Sequence, residues 1–341
     1  MKTYNVAVVG ATGAVGEELF RVMEEVDFPV KNLIPLASAR SAGEEIEFKG
    51  KTYKVIELTE SVFEQYEVEI AFFSAGGNIS AHFAPHAAEA GAVVIDNTSH
   101  FRMDADVPLV VPECNPDAIG RWRERGIIAN PNCSTIQMVQ VLKPLDDVFD
   151  ITRVDVSTYQ AVSGAGKAGM EELVHQLKDF FAFKLDEAEV KTFAHQIAFN
   201  VIPHIDVFME NDYTKEEMKM VNETQKIMGK TMEISATCVR VPVIRSHSES
   251  ITIHFANDIN VEKAIQVLKD AKNVVVQDEP EKNIYPMPIT ASDTDLTYVG
   301  RIRKDINRSN VLHLWCVADQ IRVGAATNAV RIAQKWIETE G

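Results

Sequence analysis

Three glycines set the first constraint. Gly10, Gly13 and Gly16 lie in the run Gly10-Ala-Thr-Gly13-Ala-Val-Gly16. Before it stands the uncharged stretch Asn5–Val9. After it, Leu19, Phe20 and Met23 share one face of the helical segment Gly16–Glu25. A strand that passes into a helix through small residues lets backbone approach a phosphate, and the helix N-terminus supplies N–H groups and a positive dipole end. The spacing is GxxGxxG rather than GxGxxG, so the context carries the dinucleotide reading; the alternative is a purely structural turn. The rhythm continues with apolar runs at Leu33–Ala37, Val68–Ser74 and Gly91–Asp96, the last two separated by the helical NISAHFAPHAAEA. Strand and helix in alternation imply right-handed crossovers and a doubly wound parallel sheet, a Rossmann-type α/β domain.

After residue 132 the pattern changes. Ser134–Leu145 reads as a helix, and Ile151–Gln160, Ile234–Val243, Glu249–Phe255 and Leu312–Ala318 alternate as half-covered strands do. These predict a mostly antiparallel sheet in an α+β domain, with helical pieces around 167–188 and 214–229. A last helix, Ala325–Glu338, is expected to return to the first domain. The expected division is therefore 1–132, joined by about 320–341, and 133–319; a chain of 341 residues is long enough for two domains.

The net charge of −16, from 34 basic and 50 acidic residues, disfavours nucleic acid as a partner. An anionic ligand would need a local basic site against that background. The four cysteines form no CxxC pair and the nine histidines no HExxH, so neither a disulfide framework nor a metal site is expected. No apolar run reaches about 18 residues and no leader pattern opens the chain, so no membrane association and a cytoplasmic location are expected.

Cofactor preference is read after the second strand. A carboxylate for a ribose 2′-OH is usual there, but the chain runs Leu36-Ala-Ser38-Ala-Arg40-Ser41, with no acid before Glu44. An arginine between two serines suits a 2′-phosphate, which predicts NADP.

The stretch Asn130-Pro-Asn132-Cys133-Ser-Thr135 places a thiol among polar residues at a helix start. A helix dipole favours the thiolate, the nucleophilic form. Cys238 and Cys316, inside apolar strands, read as small buried hydrophobes, and Cys114 is intermediate. A thiol nucleophile needs a base, and His247, in Ile244-Arg-Ser-His-Ser-Glu, has the most polar setting of the histidines. Seven residues earlier, Arg240 sits within an apolar strand, where burial calls for an anion.

Taken in order, GATGAVG, SARSAG, NTSHFR, NPNCST, STYQAVSGAG and RVPVIRSHSES resemble aspartate-semialdehyde dehydrogenases nearly end to end. The resemblance implies a homodimer or homotetramer with a second domain for catalysis and dimerisation. It implies interconversion of L-aspartate 4-semialdehyde, phosphate and NADP with L-4-aspartyl phosphate, on the route to lysine, threonine, methionine and diaminopimelate. By motif, Cys133 resembles the nucleophile, His247 the general acid/base and Gln160 a residue orienting the thioester. Arg240 resembles the arginine that grips the substrate carboxylate, and Arg102 one that binds phosphate. Glu216 and Lys219 resemble contacts to substrate amine and phosphate, with Glu217 and Lys215 as adjacent alternatives. Asn132 falls with the substrate contacts. Cofactor contacts are implied at Gly10, Thr12, Gly13, Ala14, Val15, Gly16, Ser38, Arg40, Ser41, Ser74, Ser163, Gly164, Gly166 and Asn328.

Two alternatives stand beside this reading. One is N-acetyl-γ-glutamyl-phosphate reductase, whose substrate has no free amine for an acid such as Glu216. The other is an NADP-binding paralogue without catalysis. Glyceraldehyde-3-phosphate dehydrogenase shares the cysteine–histidine logic, but its SCTTN context is absent.

Overall fold

A computed structural model describes residues 2–341. The chain forms two compact units, 1–132 with 325–341, and 133–324.

The first unit holds a six-stranded, all-parallel sheet. Its strands are β1 (Tyr4–Val9), β2 (Val30–Ala37), β5 (Ile56–Glu57), β6 (Ile70–Phe73), β7 (Val93–Asp96) and β8 (Ile127–Ala129), in the order β5-β2-β1-β6-β7-β8. A small hairpin, β3 (Glu45–Phe48) with β4 (Lys51–Lys54), stands apart. Every residue of β1 is buried, as expected of a strand covered on both faces. Helices α1 (Ala14–Glu25), α2 (Val62–Gln65) and α3 (Gly77–Glu89) lie among the crossovers. The chain reverses its winding between β1 and β6, where Val9 pairs with Phe73. Ligands of doubly wound sheets bind at such a switch point, beyond the strand C-termini. The C-terminal helix, α9 (Thr327–Thr339), joins this unit through Trp336, whose ring meets Tyr4 at 6.2 Å and Trp122 at 5.5 Å, both edge-on. Burying a ring of that size is a strong reason for the chain to return.

The second unit carries a mixed sheet of β9 (Ile151–Gln160), β10 (Glu233–Arg240), β11 (His247–Phe255), β12 (Val274–Val276), β13 (Thr297–Lys304) and β14 (Val311–Ala318), in the order β10-β9-β11-β14-β13-β12. The three central pairings are antiparallel and the two outer ones parallel. Helix α4 (Cys133–Phe149) and α7 (Val261–Asp270) pack their apolar residues with one face of this sheet. Thr135 to Leu142 are all buried, so α4 is a core helix rather than an amphipathic surface one. It continues past the expected Leu145 with Pro144 inside it. Further helices are α5 (Gly166–Phe181), α6 (Lys215–Met228) and the single turn α8 (Pro288–Ala291).

Two boundaries differ from expectation. The last helix begins at Thr327, after a wider π-type turn over Arg322–Ala326. The second unit accordingly runs to Gly324 rather than 319. Among the described residues, no helix is long and apolar enough to cross a membrane.

Candidate active site

Sheet register brings most of the cluster together. β9 and β10 run parallel, and Gln160 pairs with Arg240 at their shared C-terminal end. Both residues fall on the buried side of the alternation, at 1% and 6% exposure. His247 opens β11, antiparallel to β9, and so begins at the edge where β9 ends. Cys133 is the first residue of α4 and is partly exposed, while Cys114, Cys238 and Cys316 are buried. Burial pushes the Cys316 and Cys238 thiols far above their ordinary values, the protonated state of inert core cysteines.

Ala161 ties two of these side chains to one residue. Its N–H donates to His247 Nδ1 at 3.0 Å, and its carbonyl accepts from Arg240 Nη1 at 2.6 Å. A neutral imidazole that accepts at Nδ1 carries its proton on Nε2. Nε2 is buried and has no hydrogen-bond partner among the described residues. Burial and the Arg240 charge together hold His247 well below the usual histidine range, so the ring is neutral at pH 7. Burial also pulls Arg240 below the usual arginine value, opposed by the charges of Glu216 and Cys133, which places the guanidinium in the field of both.

Gly164 lies against this pair. A Cβ there would sit 2.7 Å from Arg240 Nη1 and 3.2 Å from His247 Nε2 and Cε1. Gly166 takes φ +74° at the start of α5, a conformation suited to glycine. Ser163 receives a hydrogen bond from Gln320 Nε2, and Gln320 Oε1 accepts from the Ser246 N–H at 2.7 Å. Ser246 itself adopts φ +75°, a strained state for a non-glycine, immediately before His247.

On α6, Glu216 is 5% exposed and accepts from Gln160 Nε2 at 3.3 Å and from Lys219 Nζ at 3.0 Å. Lys219 also donates to Asp206 at 2.9 Å. Burial disfavours the charged lysine, but Glu216 and Asp206 outweigh it and hold Lys219 above its ordinary value. The neighbours serve elsewhere. Glu217 closes a capping box with Thr214 and accepts from the Cys238 N–H at 3.0 Å, and Lys215 is exposed. A cavity of ≈ 280 Å³ beside Arg240 is lined by Phe193, Ile202, His204 and Asp206 among others.

The other expected residues belong to the first unit. Arg102 is 7% exposed; its Nε donates to the Asn130 carbonyl at 2.9 Å and its Nη2 to the Asn97 carbonyl at 2.7 Å. Asn130 in turn donates to Asn97 Oδ1 and accepts from Asn328 at 2.5 Å. Asn328 also donates to the Val110 carbonyl, while its buried Oδ1 has no partner among the described residues. Asn132 is buried next to Cys133. The loop Gly10–Gly16 follows β1. Gly10 holds φ +90° against Ser74, and a Cβ on Gly16 would come within 2.2 Å of the Gly10 carbonyl oxygen. Thr12, Gly13, Ala14 and Val15 complete the turn, none of them buried, and the first amides of α1 have no intrahelical acceptor. This cradle fits a pyrophosphate. Ser38, Arg40 and Ser41 form a turn closed by a Ser41 N–H to Ser38 carbonyl bond of 2.9 Å, with Arg40 exposed.

Sequence reasoning missed four positions. Ala161 acts through its backbone, which residue type does not reveal. Ser246 and Gln320 act through a bond that closes 74 residues of chain. Gly324 is packed so tightly that a Cβ would lie 2.6 Å from Cys133 Cβ. A glycine in a π-type turn was the available signal.

Comparison with known proteins decides the family. Residues 5–122 match the family described as semialdehyde dehydrogenase, NAD binding domain, and residues 142–323 match semialdehyde dehydrogenase, dimerisation domain. The aspartate-semialdehyde dehydrogenase of Campylobacter jejuni is 68% identical over 337 residues, covering 99% of this chain and 98% of the relative. The chain belongs to the aspartate-semialdehyde dehydrogenase family. It therefore carries a nicotinamide-dinucleotide-binding domain. The Helicobacter pylori J99 aspartate-semialdehyde dehydrogenase is 55% identical, with 99% of each chain covered. A crystal structure of the Vibrio cholerae aspartate semialdehyde dehydrogenase II complexed with ASA superposes with a TM-score of 0.97 at 49% identity, covering both chains fully. The Candida albicans enzyme, solved with NADP, gives 0.75 at 26% identity, covering 98% of this chain and 99% of that one.

Proposed function

We propose that this chain is an NADP-dependent, phosphorylating dehydrogenase that interconverts L-aspartate 4-semialdehyde and L-4-aspartyl phosphate through a thioester on Cys133. The observation that carries the reading is the convergence of Gln160, Arg240 and His247 at one sheet edge, in the unit whose first helix begins at Cys133. The helix N-terminus favours the thiolate. That thiolate adds to the aldehyde carbon and gives a hemithioacetal. The cofactor, when bound, supplies the hydride acceptor. His247 donates its Nε2–H to the hemithioacetal oxygen; to act as a base toward the hydroxyl, the ring must first carry its single proton on Nδ1, which breaks the bond from the Ala161 N–H and leaves Nε2 free to accept. Loss of hydride leaves the thioester, whose oxygen Gln160 and the first amides of α4 stabilise. Phosphate, held by Arg102 and Lys219, attacks the thioester carbon and expels the thiolate as the acyl phosphate forms. Arg240 holds the substrate carboxylate and Glu216 the amine; Asn132 lines the same site.

Preference for NADP is supported by Arg40 between Ser38 and Ser41, in a run with no carboxylate from Leu36 to Gly43, and by the NADP in the Candida albicans relative. The cradle residues Gly10, Thr12, Gly13, Ala14, Val15, Gly16 and Ser74 hold the pyrophosphate side. Ser163, Gly164, Gly166 and Asn328 serve the nicotinamide end; the unpartnered Asn328 Oδ1 suits a carboxamide N–H. The first unit is the NADP domain and the second the catalytic and dimerisation domain of a cytoplasmic homodimer or homotetramer. In the cell the reaction runs toward the semialdehyde, because acyl phosphates are high in energy, and feeds lysine, threonine, methionine and diaminopimelate synthesis.

The test is NADPH formation from L-aspartate 4-semialdehyde, with and without phosphate, for the wild type and Cys133→Ala. Phosphate-dependent turnover that vanishes in the variant is expected. A wild type that binds NADP but does not turn over would overturn the reading.

A further inference from the structure

Apart from the cluster at Cys133, the first unit holds a second set of convergent donors. We infer that Glu60, His82 and His86 form a binding site for a borderline divalent transition ion, zinc foremost. His82 and His86 are four residues apart on α3 and so project from one helix face. Glu60 comes from the segment leading into α2 and reaches the same point. Its Oε1 lies 3.0 Å from His82 Nε2 and 3.7 Å from His86 Nε2. One ligand atom from each residue fits within 4.8 Å of the other two. The imidazoles do not stack, with centroids 5.6 Å apart and planes inclined at 70°, and both Nε2 atoms face Glu60 Oε1.

The donor chemistry selects the ion. Two imidazoles and one carboxylate suit zinc and its neighbours, whereas magnesium and calcium take oxygen ligands. On the other side of the His86 ring, Glu89 Oε2 stands 3.8 Å from Nδ1, beyond hydrogen-bond reach, and adds negative charge beside the site. The side chains of His82, His86 and Glu60 are 57%, 36% and 58% exposed, so an ion has direct access and its remaining positions would be filled by water. Occupancy would clamp α3 to the start of α2 and stabilise the first unit. The inference does not depend on the chemistry proposed at Cys133.

The plain competitor is a surface hydrogen bond from His82 to Glu60 that needs no ion. Isothermal titration of zinc chloride into tag-free Cys133→Ser protein separates the two, because that background removes the exposed thiol as a competing ligand. A single saturable equivalent is expected near neutral pH. Affinity should fall by about ten-fold or more in His82→Ala, His86→Ala and Glu60→Gln, and also on acidification, because protons compete for the same lone pairs. Zinc should raise the melting temperature of the background protein and leave the triple variant unmoved. Saturable binding that survives all three substitutions would place zinc elsewhere and overturn the inference. So would the absence of saturable binding in the background protein, with His82→Ala lowering the melting temperature alone.

Discussion

Substituting Gly164 by alanine tests the geometry around His247 without replacing a titratable group. The added Cβ would stand 2.7 Å from Arg240 Nη1. Ordinary contact begins near 3.4 Å, so the guanidinium must retreat by about 0.7 Å. A shift of that size along its 2.6 Å bond to the Ala161 carbonyl would stretch the bond to about 3.3 Å, the edge of useful hydrogen bonding. The same Cβ presses on His247 at 3.2 Å, and Ala161 holds that ring too. Displacements approaching an ångström at a reacting centre cost about 10²-fold, so kcat/KM should fall by about that factor, or about 2.7 kcal/mol of transition-state stabilisation. Both constants should move, KM for the semialdehyde through Arg240 and kcat through His247. The fold should not suffer, because Gly164 is exposed and is not in the positive-φ region. An alanine there restricts the unfolded chain and leaves the melting temperature level or slightly raised. Gly120→Ala, at a position with open space, is the control. Steady-state kinetics and thermal melts of the three proteins decide the matter. A Gly164→Ala enzyme within about three-fold of wild-type kcat/KM would refute the argument that this glycine keeps the Arg240–His247 geometry.

Other expectations reach different parts of the molecule. Glu249 is fully buried, neither of its carboxylate oxygens has a hydrogen-bond partner among the described residues, and burial drives its carboxyl well above the ordinary range. Above about pH 4.3 the unfolded chain loses a proton that the native state keeps, so this residue lowers stability as pH rises, by up to about 1.4 kcal/mol per pH unit. Urea titrations of Glu249→Gln between about pH 5 and 7 should show a more favourable slope with pH than the wild type; parallel slopes would refute the neutral carboxyl. Leu142→Ala, in the buried middle of α4, should cost about 2–5 kcal/mol of unfolding free energy. Its kcat should be unchanged, and a large loss of kcat in folded protein would mean that α4 transmits strain to Cys133. Arg40→Ala should raise KM for NADP by about ten-fold or more, the worth of a charge-assisted hydrogen bond, and leave KM for NAD nearly unmoved. Equal effects on both cofactors would remove Arg40 from the 2′-phosphate.

Local signals were legible where function rests on local chemistry. The strand–glycine–helix run at residue 10 needs only its own neighbours to make a cradle. The polar setting of Cys133 announced a thiol at a helix start, and α4 begins at that residue. Alternation along Ile151–Gln160 marked β9 at its observed bounds, because a half-covered sheet writes its faces into every second residue. The short strands β3, β4 and β12 went unread, since three or four residues carry too little periodicity; α7 and β13, of 10 and 8 residues, went unread as well. At Glu216 and Glu217 the letters are identical. Only packing shows that one carboxylate faces Gln160 and Lys219 while the other is used in a capping box and at Cys238.

The sequence by itself determined the residue types the chemistry needs, their order, and the local conformations at Gly10 and Cys133. Those follow from side-chain chemistry and from dihedral preference within a few residues. The tertiary structure alone decided that β9 and β10 run parallel, which sets Gln160 beside Arg240, and that β11 returns antiparallel, which brings His247 to the Ala161 N–H. It also decided that the π-type turn presses Gly324 against Cys133. Register and chain return depend on burying whole sheet faces and on Trp336 finding Tyr4 and Trp122, sums over distant residues that no local stretch contains.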